Sequence, residues 1–114
     1  MQDLKVRTKK FALGVIRLVQ ALPQDRTADV VGRQLLGSGT SVAANYRAAC
    51  RARSRADFVN KMGIVEEEAD ETHFWLELLT EASLVKHEVV EELARECEEL
   101  IAITVSSIKT ARAK

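Results

Sequence analysis

The sequence VVGRQLLGSGTSVAANYRAACRAR, residues 30–53, determines how this chain folds more than any other segment. Apolar residues recur along it at spacings of three and four, the repeat of an amphipathic helix. Only small side chains occupy its centre, from Gly37 to Ser41. Each glycine costs up to ~1 kcal/mol in a helix relative to alanine, so a break at the centre is an alternative. Because the apolar repeat keeps its phase across the glycines, we expect one continuous helix with a thin middle.

The composition of the whole chain favours a helical protein of one domain. The chain has 114 residues, of which 46% are hydrophobic and 30% charged, and this suffices for a single core. Aromatic residues make up only 4%, so the core must be aliphatic. One proline and five glycines leave few places to turn. We therefore expect an all-α domain that spans residues 1–114.

Periodicity predicts four helices, at about residues 3–22, 27–53, 55–82 and 87–112. Pro23 should end the first helix, because the residue before a proline is disfavoured in the helical region. Thr27 and Ser54 are the expected N-caps of the second and third helices. Since the links are short, successive helices should run in opposite directions. The sequence therefore predicts an antiparallel, up-down-up-down four-helix bundle.

Neither a membrane segment nor a secretory signal is apparent in the sequence. Arg17 interrupts the best apolar run well short of the ~20 residues that a membrane span needs. Cys50 and Cys97 lack the spacing of metal or redox motifs, and we expect them to be reduced rather than joined in a disulfide. These features predict a cytoplasmic protein that does not bind membranes.

The net charge of zero hides an asymmetry between the two halves of the sequence. Residues 1–55 carry eleven Lys and Arg against three acidic residues, whereas residues 56–114 carry six against fourteen. One interpretation is that the two halves attract each other within or between subunits. The other is that the basic half leaves a surface for a polyanion.

Basic residues should cluster where the second helix turns into the third. Arginine suits phosphate because its planar guanidinium presents a fork of N–H donors, and non-specific binding of nucleic acid requires little beyond such a patch. A solvated or salt-bridged corner is the alternative, and no aromatic residues interleave to suggest base stacking. The candidate nucleic-acid-binding residues, which include those at the nearby start of the first helix, are Lys5, Lys9, Lys10, Arg47, Arg51, Arg53 and Arg55.

Five carboxylates lie within residues 66–71 and repel one another. We expect polar groups on the neighbouring helix to compensate this repulsion. If the second and third helices form a hairpin around Ser54, these carboxylates lie level with the hydroxyls at the thin middle of the second helix. We expect a structural polar layer that fixes the register, and a binding or catalytic site is the less favoured alternative. The predicted layer consists of Ser38, Thr40, Ser41, Asn45, Glu68 and Glu71.

Neither a metal centre nor a catalytic constellation stands out. A di-iron bundle needs Glu-x-x-His on two helices and an inward Glu on the other two. The only comparable pair here is Asp70 with His73, since His87 has no acid three residues before it. The glycines around Gly37 lack the lysine and the preceding strand of a phosphate loop. We therefore expect no catalytic residues, no metal and no cofactor.

The fourth helix carries a second apolar stripe, which is more than a four-helix core requires from one helix. Phe74 and Trp75 are adjacent and cannot both face one core. These patterns predict contacts between copies of the chain, with the interface residues Trp75, Leu93, Leu100 and Ile103.

Several residues resemble those of a known family. The segment Thr40–Arg47, then Phe58 and the acidic block that ends before Trp75, resembles the four-helix-bundle family of ribosomal-RNA intervening-sequence proteins. The accessory variability determinant of diversity-generating retroelements belongs to the same group. The resemblance implies a bundle assembled into a ring, typically a homopentamer, and some relatives are thought to bind nucleic acid through a basic surface. Many members have Glu-Gly where this chain has Ala48-Ala49, so no role of that glutamate carries over.

These observations together predict a non-enzymatic, oligomeric module that contacts RNA or DNA through its basic corner. A scaffold that binds only other proteins is the leading alternative. A hydrolytic or metal-dependent enzyme that uses the acidic block is the least favoured interpretation.

Overall fold

The computed structural model describes residues 3–114, which form four helices joined by short links. Helix α1 runs over Leu4–Gln20, α2 over Arg26–Cys50, α3 over Arg55–Glu81 and α4 over His87–Ala113. Each helix packs against the next one in the chain, and α1 also packs against α4. The result is a rod with extents of 48 × 20 × 20 Å. The predicted all-α four-helix bundle is therefore confirmed.

Pairs of neighbouring residues give the directions of the helices. Gly32 in α2 lies beside Leu22, whereas Gly39, further along α2, lies beside Val15, which comes earlier in α1. The same inverse order relates α2 to α3 and α3 to α4. The pairs are Ser38 with Thr72, Ser41 with Glu68, Ala69 with Cys97, and Phe58 with Thr110. Successive helices thus run up, down, up and down.

Helix α2 is continuous through its five small residues, as expected. Residues 37–41 are all helical, and no glycine among the described residues has a positive φ. A Cβ added to Gly39 would lie 2.8 Å from both methyl carbons of Val15. The thin middle of α2 therefore lets α1 approach closely.

Two predicted helix ends and one predicted cap were wrong. Helix α1 ends at Gln20 rather than residue 22, and α2 ends at Cys50 rather than residue 53. The link between α2 and α3 needs non-helical residues because Ser54 must adopt an extended backbone (φ −158°, ψ 168°) to cap α3. Asp25, rather than Thr27, caps α2. Its carboxylate accepts a hydrogen bond from the Thr27 amide at 2.7 Å, so α2 begins one residue earlier than expected.

The N-cap predicted for α3 is confirmed. The Ser54 hydroxyl accepts a hydrogen bond from the Asp57 amide at 3.0 Å. The Asp57 carboxylate in turn accepts one from the Arg53 amide at 3.1 Å, so two free backbone donors are satisfied at this turn. The cap fixes the corner at which the predicted basic cluster lies.

The core is aliphatic along the length of the rod, as the composition predicts. Its largest fully buried side chains come from all four helices. They are Val15, Leu35, Val42, Met62, Val65, Thr72, Leu76, Leu79 and Cys97. No helix within residues 3–114 is both long enough and apolar enough to cross a membrane.

Candidate nucleic-acid interface

One end of the rod brings together the start of α1, the end of α2, the start of α3 and the end of α4. Asp3, the N-cap of α1, lies close enough to Tyr46 to contribute to its raised pKa of about 12, which is due mainly to burial of the phenol. Phe58 in α3 lines a shallow groove with Thr110 and Lys114 of α4. Four helix ends thus meet at one tip of the molecule.

The seven basic residues predicted as a cluster all lie toward this end. Every one of the seven side chains is exposed. Arg47 and Arg51 are separated by one helical turn of α2, and Arg53 and Arg55 follow at the corner. Within residues 3–114, none of the seven forms an ion pair with a carboxylate. The predicted alternative of a salt-bridged corner therefore does not describe these side chains, and their charges face solvent.

The acidic groups near this end are already engaged. Lys61 pairs with Asp57 at 2.8 Å, and this interaction holds the pKa of Asp57 below its usual value. The Asp3 carboxylate accepts the Lys5 amide at 2.9 Å as the cap of α1. Asp57 also interacts with the charge of Arg53, but neither carboxylate forms an ion pair with an arginine of the corner.

The charge asymmetry follows the long axis of the rod. We define the basic half as residues 3–12, 42–63 and 103–114, and the acidic half as residues 13–41 and 64–102. Twelve Lys and Arg against two acidic residues give the basic half a net charge of +10. Five against fifteen give the acidic half −10. The two ends of the rod therefore carry opposite charges, in addition to the charge difference between the first and second halves of the sequence.

Arg7 marks the boundary between the two halves on the α1–α4 side. Its guanidinium binds both carboxylate oxygens of Glu96, at 2.6 and 2.9 Å, and reaches Glu99 at 3.2 Å. The side chain is only 15% exposed. The hydrogen bond to Glu96 is the largest cause that raises the pKa of Arg7 above its ordinary value. The pair bridges the least extensive of the four helix contacts.

The predicted polar layer exists in a smaller form. The Thr72 hydroxyl donates to the Ser38 hydroxyl at 2.9 Å, and both residues are buried. Glu68 lies beside Ser41, and burial is the main reason that its pKa is raised, with Glu71 adding to the effect and Ser41 opposing it. The layer thus links α2 and α3 at the register expected for a hairpin around Ser54.

Three residues assigned to the layer do not join it, which corrects the prediction. Thr40 and Asn45 bond to carbonyl oxygens of their own helix, those of Leu36 and Ser41. Glu71 is exposed and instead accepts the Trp75 indole N–H at 3.1 Å. These side chains point along α2 or away from the α2–α3 contact. The neighbours of a residue depend on the rotation of its helix about the helix axis as well as on its position along that axis.

Of the four predicted interface residues, only Leu100 needs correction, and the other three stay predictions. Leu100 is 2% exposed and belongs to the core of the single chain. Trp75, Leu93 and Ile103 are partly buried, and Trp75 and Leu93 pack against that core. The exposed aromatic is Phe74, at 49%, whose ring contacts that of Trp75 edge-on at 5.0 Å between centroids. Phe74 could have been found from its position on the outer side of α3, opposite Met62 and Leu76.

His73 and Cys97 both contact groups on a neighbouring helix. His73 bridges α3 and α4, since its ring nitrogens lie 3.2 Å from Glu77 and 3.4 Å from Glu98. The Cys97 thiol donates to the Ala69 carbonyl at 3.1 Å, and burial raises its pKa to about 12. Among residues 3–114, no group of three or more His, Cys, Asp or Glu side chains is placed to hold a metal ion.

Fold and surface together define a class: an all-α bundle with a solvent-facing cluster of cations at one end. The sequence pattern of the 23S rRNA-intervening sequence protein family matches residues 2–106 of this chain. The chain belongs to that family.

A solved structure supports the same assignment. It is the crystal structure of a protein of unknown function from the S23 ribosomal protein family of Bacteroides thetaiotaomicron. The two sequences are 37% identical, the match covers 94% of this chain and 99% of the other, and the TM-score is 0.88. Among curated proteins, no match is found.

Proposed function

We propose that this protein is a non-enzymatic, oligomeric module that binds RNA through the cations at the basic end of the rod. The observation that carries the proposal is the set of seven exposed basic side chains, none of them paired with a carboxylate within residues 3–114. Unpaired surface cations displace counterions from a phosphate backbone, and this displacement supplies most of the free energy of non-specific binding. The name of the family refers to ribosomal RNA, which agrees with RNA as the polyanion.

Self-assembly is the second part of the proposal. Among residues 3–114, seven large apolar side chains are exposed in the single chain: Val6, Leu13, Val30, Leu36, Ile64, Phe74 and Val89. A contiguous apolar patch on a surface is commonly covered by a partner, and the groove between α1 and α4 offers one, lined by Leu18, Val89 and Leu93. A ring of copies, five by resemblance to the family, would repeat the basic end. Repetition matters because weak contacts on linked sites gain affinity through effective concentration.

A scaffold that binds only protein is the second candidate. It is favoured by Phe74 and Ile64, which are 49% and 43% exposed on the outer side of α3. A protein partner could cover these side chains without any contact to the basic end. A pull-down that recovers one specific partner, and that nuclease treatment does not affect, would favour this candidate.

Binding of a labelled, mixed-sequence RNA pool tests the proposal. We expect retention at low salt and a steep loss as salt rises, because each phosphate contact releases counterions. The double variant Arg47→Ala/Arg51→Ala should bind about tenfold more weakly at low salt, since two of those contacts are removed. The matched control Arg17→Ala/Arg26→Ala removes two exposed cations from the acidic half and should bind as the wild type does.

Absence of RNA binding by the wild-type protein at low salt would overturn the proposal. Light scattering with and without the RNA pool would report assembly in the same samples. A mass equal to one chain at every workable concentration would overturn the oligomeric part alone.

A further inference from the structure

Three basic residues near the end of α4 extend the cationic surface beyond the predicted cluster. Lys109, Arg112 and Lys114 are all exposed, and within residues 3–114 none of them pairs with a carboxylate. Helix α4 continues to Ala113, so these side chains are carried on, or directly after, a regular helix. They lie beyond residues 2–106, the part of the chain that matches the family.

The topology places these residues at the basic end. Lys114 lines the same groove as Phe58, which lies in the first turn of α3. Arg55 begins α3, and Arg51 and Arg53 lie just before it. The last turns of α4 thus stand beside the arginine corner, although more than fifty residues separate them in the sequence. The basic side chains near the C-terminal ends of α2 and α4 also interact favourably with the partial negative charge of those helix termini.

The opposite half of the rod would repel the same ligand. It carries a net charge of −10. Charges separated by more than about 8–10 Å are largely screened at physiological salt, and the rod is 48 Å long. Phosphates at one end therefore experience the cations of that end and little of the acidic half. A polyanion that lay along the α3–α4 side of the rod would meet the carboxylates of those helices, whereas residues 13–41 on the α1–α2 side carry three Lys and Arg against two acidic residues.

We infer that RNA docks end-on, on the face formed by the four helix ends, and that Lys109, Arg112 and Lys114 are further phosphate contacts on that face. The inference rests on the proposed RNA-binding function. The recognised chemistry is the phosphate backbone, because exposed Lys and Arg side chains that no carboxylate orients neutralise phosphates without a fixed geometry toward base edges. Binding should accordingly tolerate any sequence.

The test compares two triple variants of equal charge change. Lys109→Gln/Arg112→Gln/Lys114→Gln removes the α4 cations, and Arg17→Gln/Arg26→Gln/Lys86→Gln removes three exposed cations of the acidic half. We expect the α4 variant to bind labelled RNA at least tenfold more weakly at low salt. Its plot of log affinity against log salt should be shallower by about 2, since each single-strand phosphate that the variant no longer neutralises reduces the slope by roughly 0.7. The acidic-half variant should bind as the wild type does, and unlabelled poly(A) and poly(U) should compete equally.

The outcomes separate the inference from the proposed function. If the wild type binds no RNA, the proposed function fails. If the wild type binds and the α4 variant binds equally well with the same salt dependence, only the end-on inference is overturned. Equal weakening in both triple variants would also overturn it, because net charge alone would then explain the effect. Circular dichroism of both variants checks that helicity is retained, as expected for exposed side chains.

Discussion

The two halves of the rod differ in packing as well as in charge. Three glycines allow close helix approach, and all of them lie in the acidic half: Gly14 against Leu93, Gly32 against Leu22 and Gly39 against Val15. In the basic half, a Cβ added to Gly63 would meet nothing within 4 Å. The buried Ser38–Thr72 hydrogen bond also belongs to the acidic half.

The closest helix approaches and the proposed RNA-binding surface therefore lie in different halves of the bundle. Ten exposed cations in the basic half repel one another, and such self-repulsion destabilises a compact state. Close packing between helices in the other half offsets that cost. The close packing keeps the helices in register although many like charges lie at one end of the rod.

The largest effect on stability is expected from Gly39→Ala. The new methyl group would lie 2.8 Å from both Val15 methyl carbons and 3.1 Å from the Val15 Cβ. Val15 is fully buried and β-branched, so it has no free rotamer to adopt. Overpacking of this kind costs about 1–3 kcal/mol, which exceeds the gain of up to ~1 kcal/mol in helix propensity, so the urea midpoint should fall.

Two other glycines provide the matched controls. Gly63→Ala in the basic half and Gly37→Ala, on the same helix as Gly39, add a methyl group where nothing lies within 4 Å. Each should raise the free energy of unfolding by up to ~1 kcal/mol through helix propensity. If Gly39→Ala were as stable as these controls, the account of close packing in the acidic half would be wrong.

A smaller effect is expected from Glu68→Gln. Burial, and then repulsion by Glu71, raises the pKa of Glu68 above its usual value. The ionised carboxylate therefore destabilises the fold, and this penalty is present in full above the raised pKa and disappears as the pH falls toward the usual value. At pH 7 the variant should be more stable by a few tenths of a kcal/mol, the size of a like-charge helix pair.

The pH dependence of the stability difference between Glu68→Gln and the wild type identifies its cause. The advantage of Glu68→Gln should shrink toward zero near pH 4, because the wild-type carboxyl is then largely protonated. Glu92→Gln, at an exposed position in α4 that does not contribute to the pKa of Glu68, serves as the control. A Glu68→Gln variant that is less stable than the wild type at pH 7 would mean that ionised Glu68 contributes favourably to the α2–α3 contact.

Much of the fold followed from the spacing of apolar residues, because helix faces repeat every three or four positions. The continuity of α2 through Gly37 and Gly39 also followed, since the phase of the pattern does not change there. The exact ends of the helices could not be predicted in the same way. Asp25, rather than Thr27, caps α2, and the extended backbone at Ser54 shortens α2 at its other end.

Side-chain environments were harder to predict than helices. Height along a hairpin placed Glu68 level with Thr40, one residue from its actual neighbour Ser41, and the rotation of the helices excluded Thr40 and Glu71 from the layer. Leu100 was predicted to belong to a second stripe and is buried within the chain. The basic residues at the end of α4 were within reach of the sequence, since an up-down bundle must place the end of its fourth helix beside the start of its third.

The central claim is that RNA contacts the basic end of the rod and not the acidic end. The most direct test is a measurement of energy transfer between a fluorescent donor on the protein and an acceptor on a short RNA. Cys50 is exposed and ends α2 at the basic end, whereas Cys97 is buried, with a pKa raised to about 12, and should stay unlabelled. In Cys50→Ser/Glu81→Cys, the label moves to the end of α3, in the acidic half of the 48 Å rod. The account predicts much higher transfer efficiency from the label at Cys50 than from the label at position 81. Equal efficiencies, or a higher one from position 81, would contradict it.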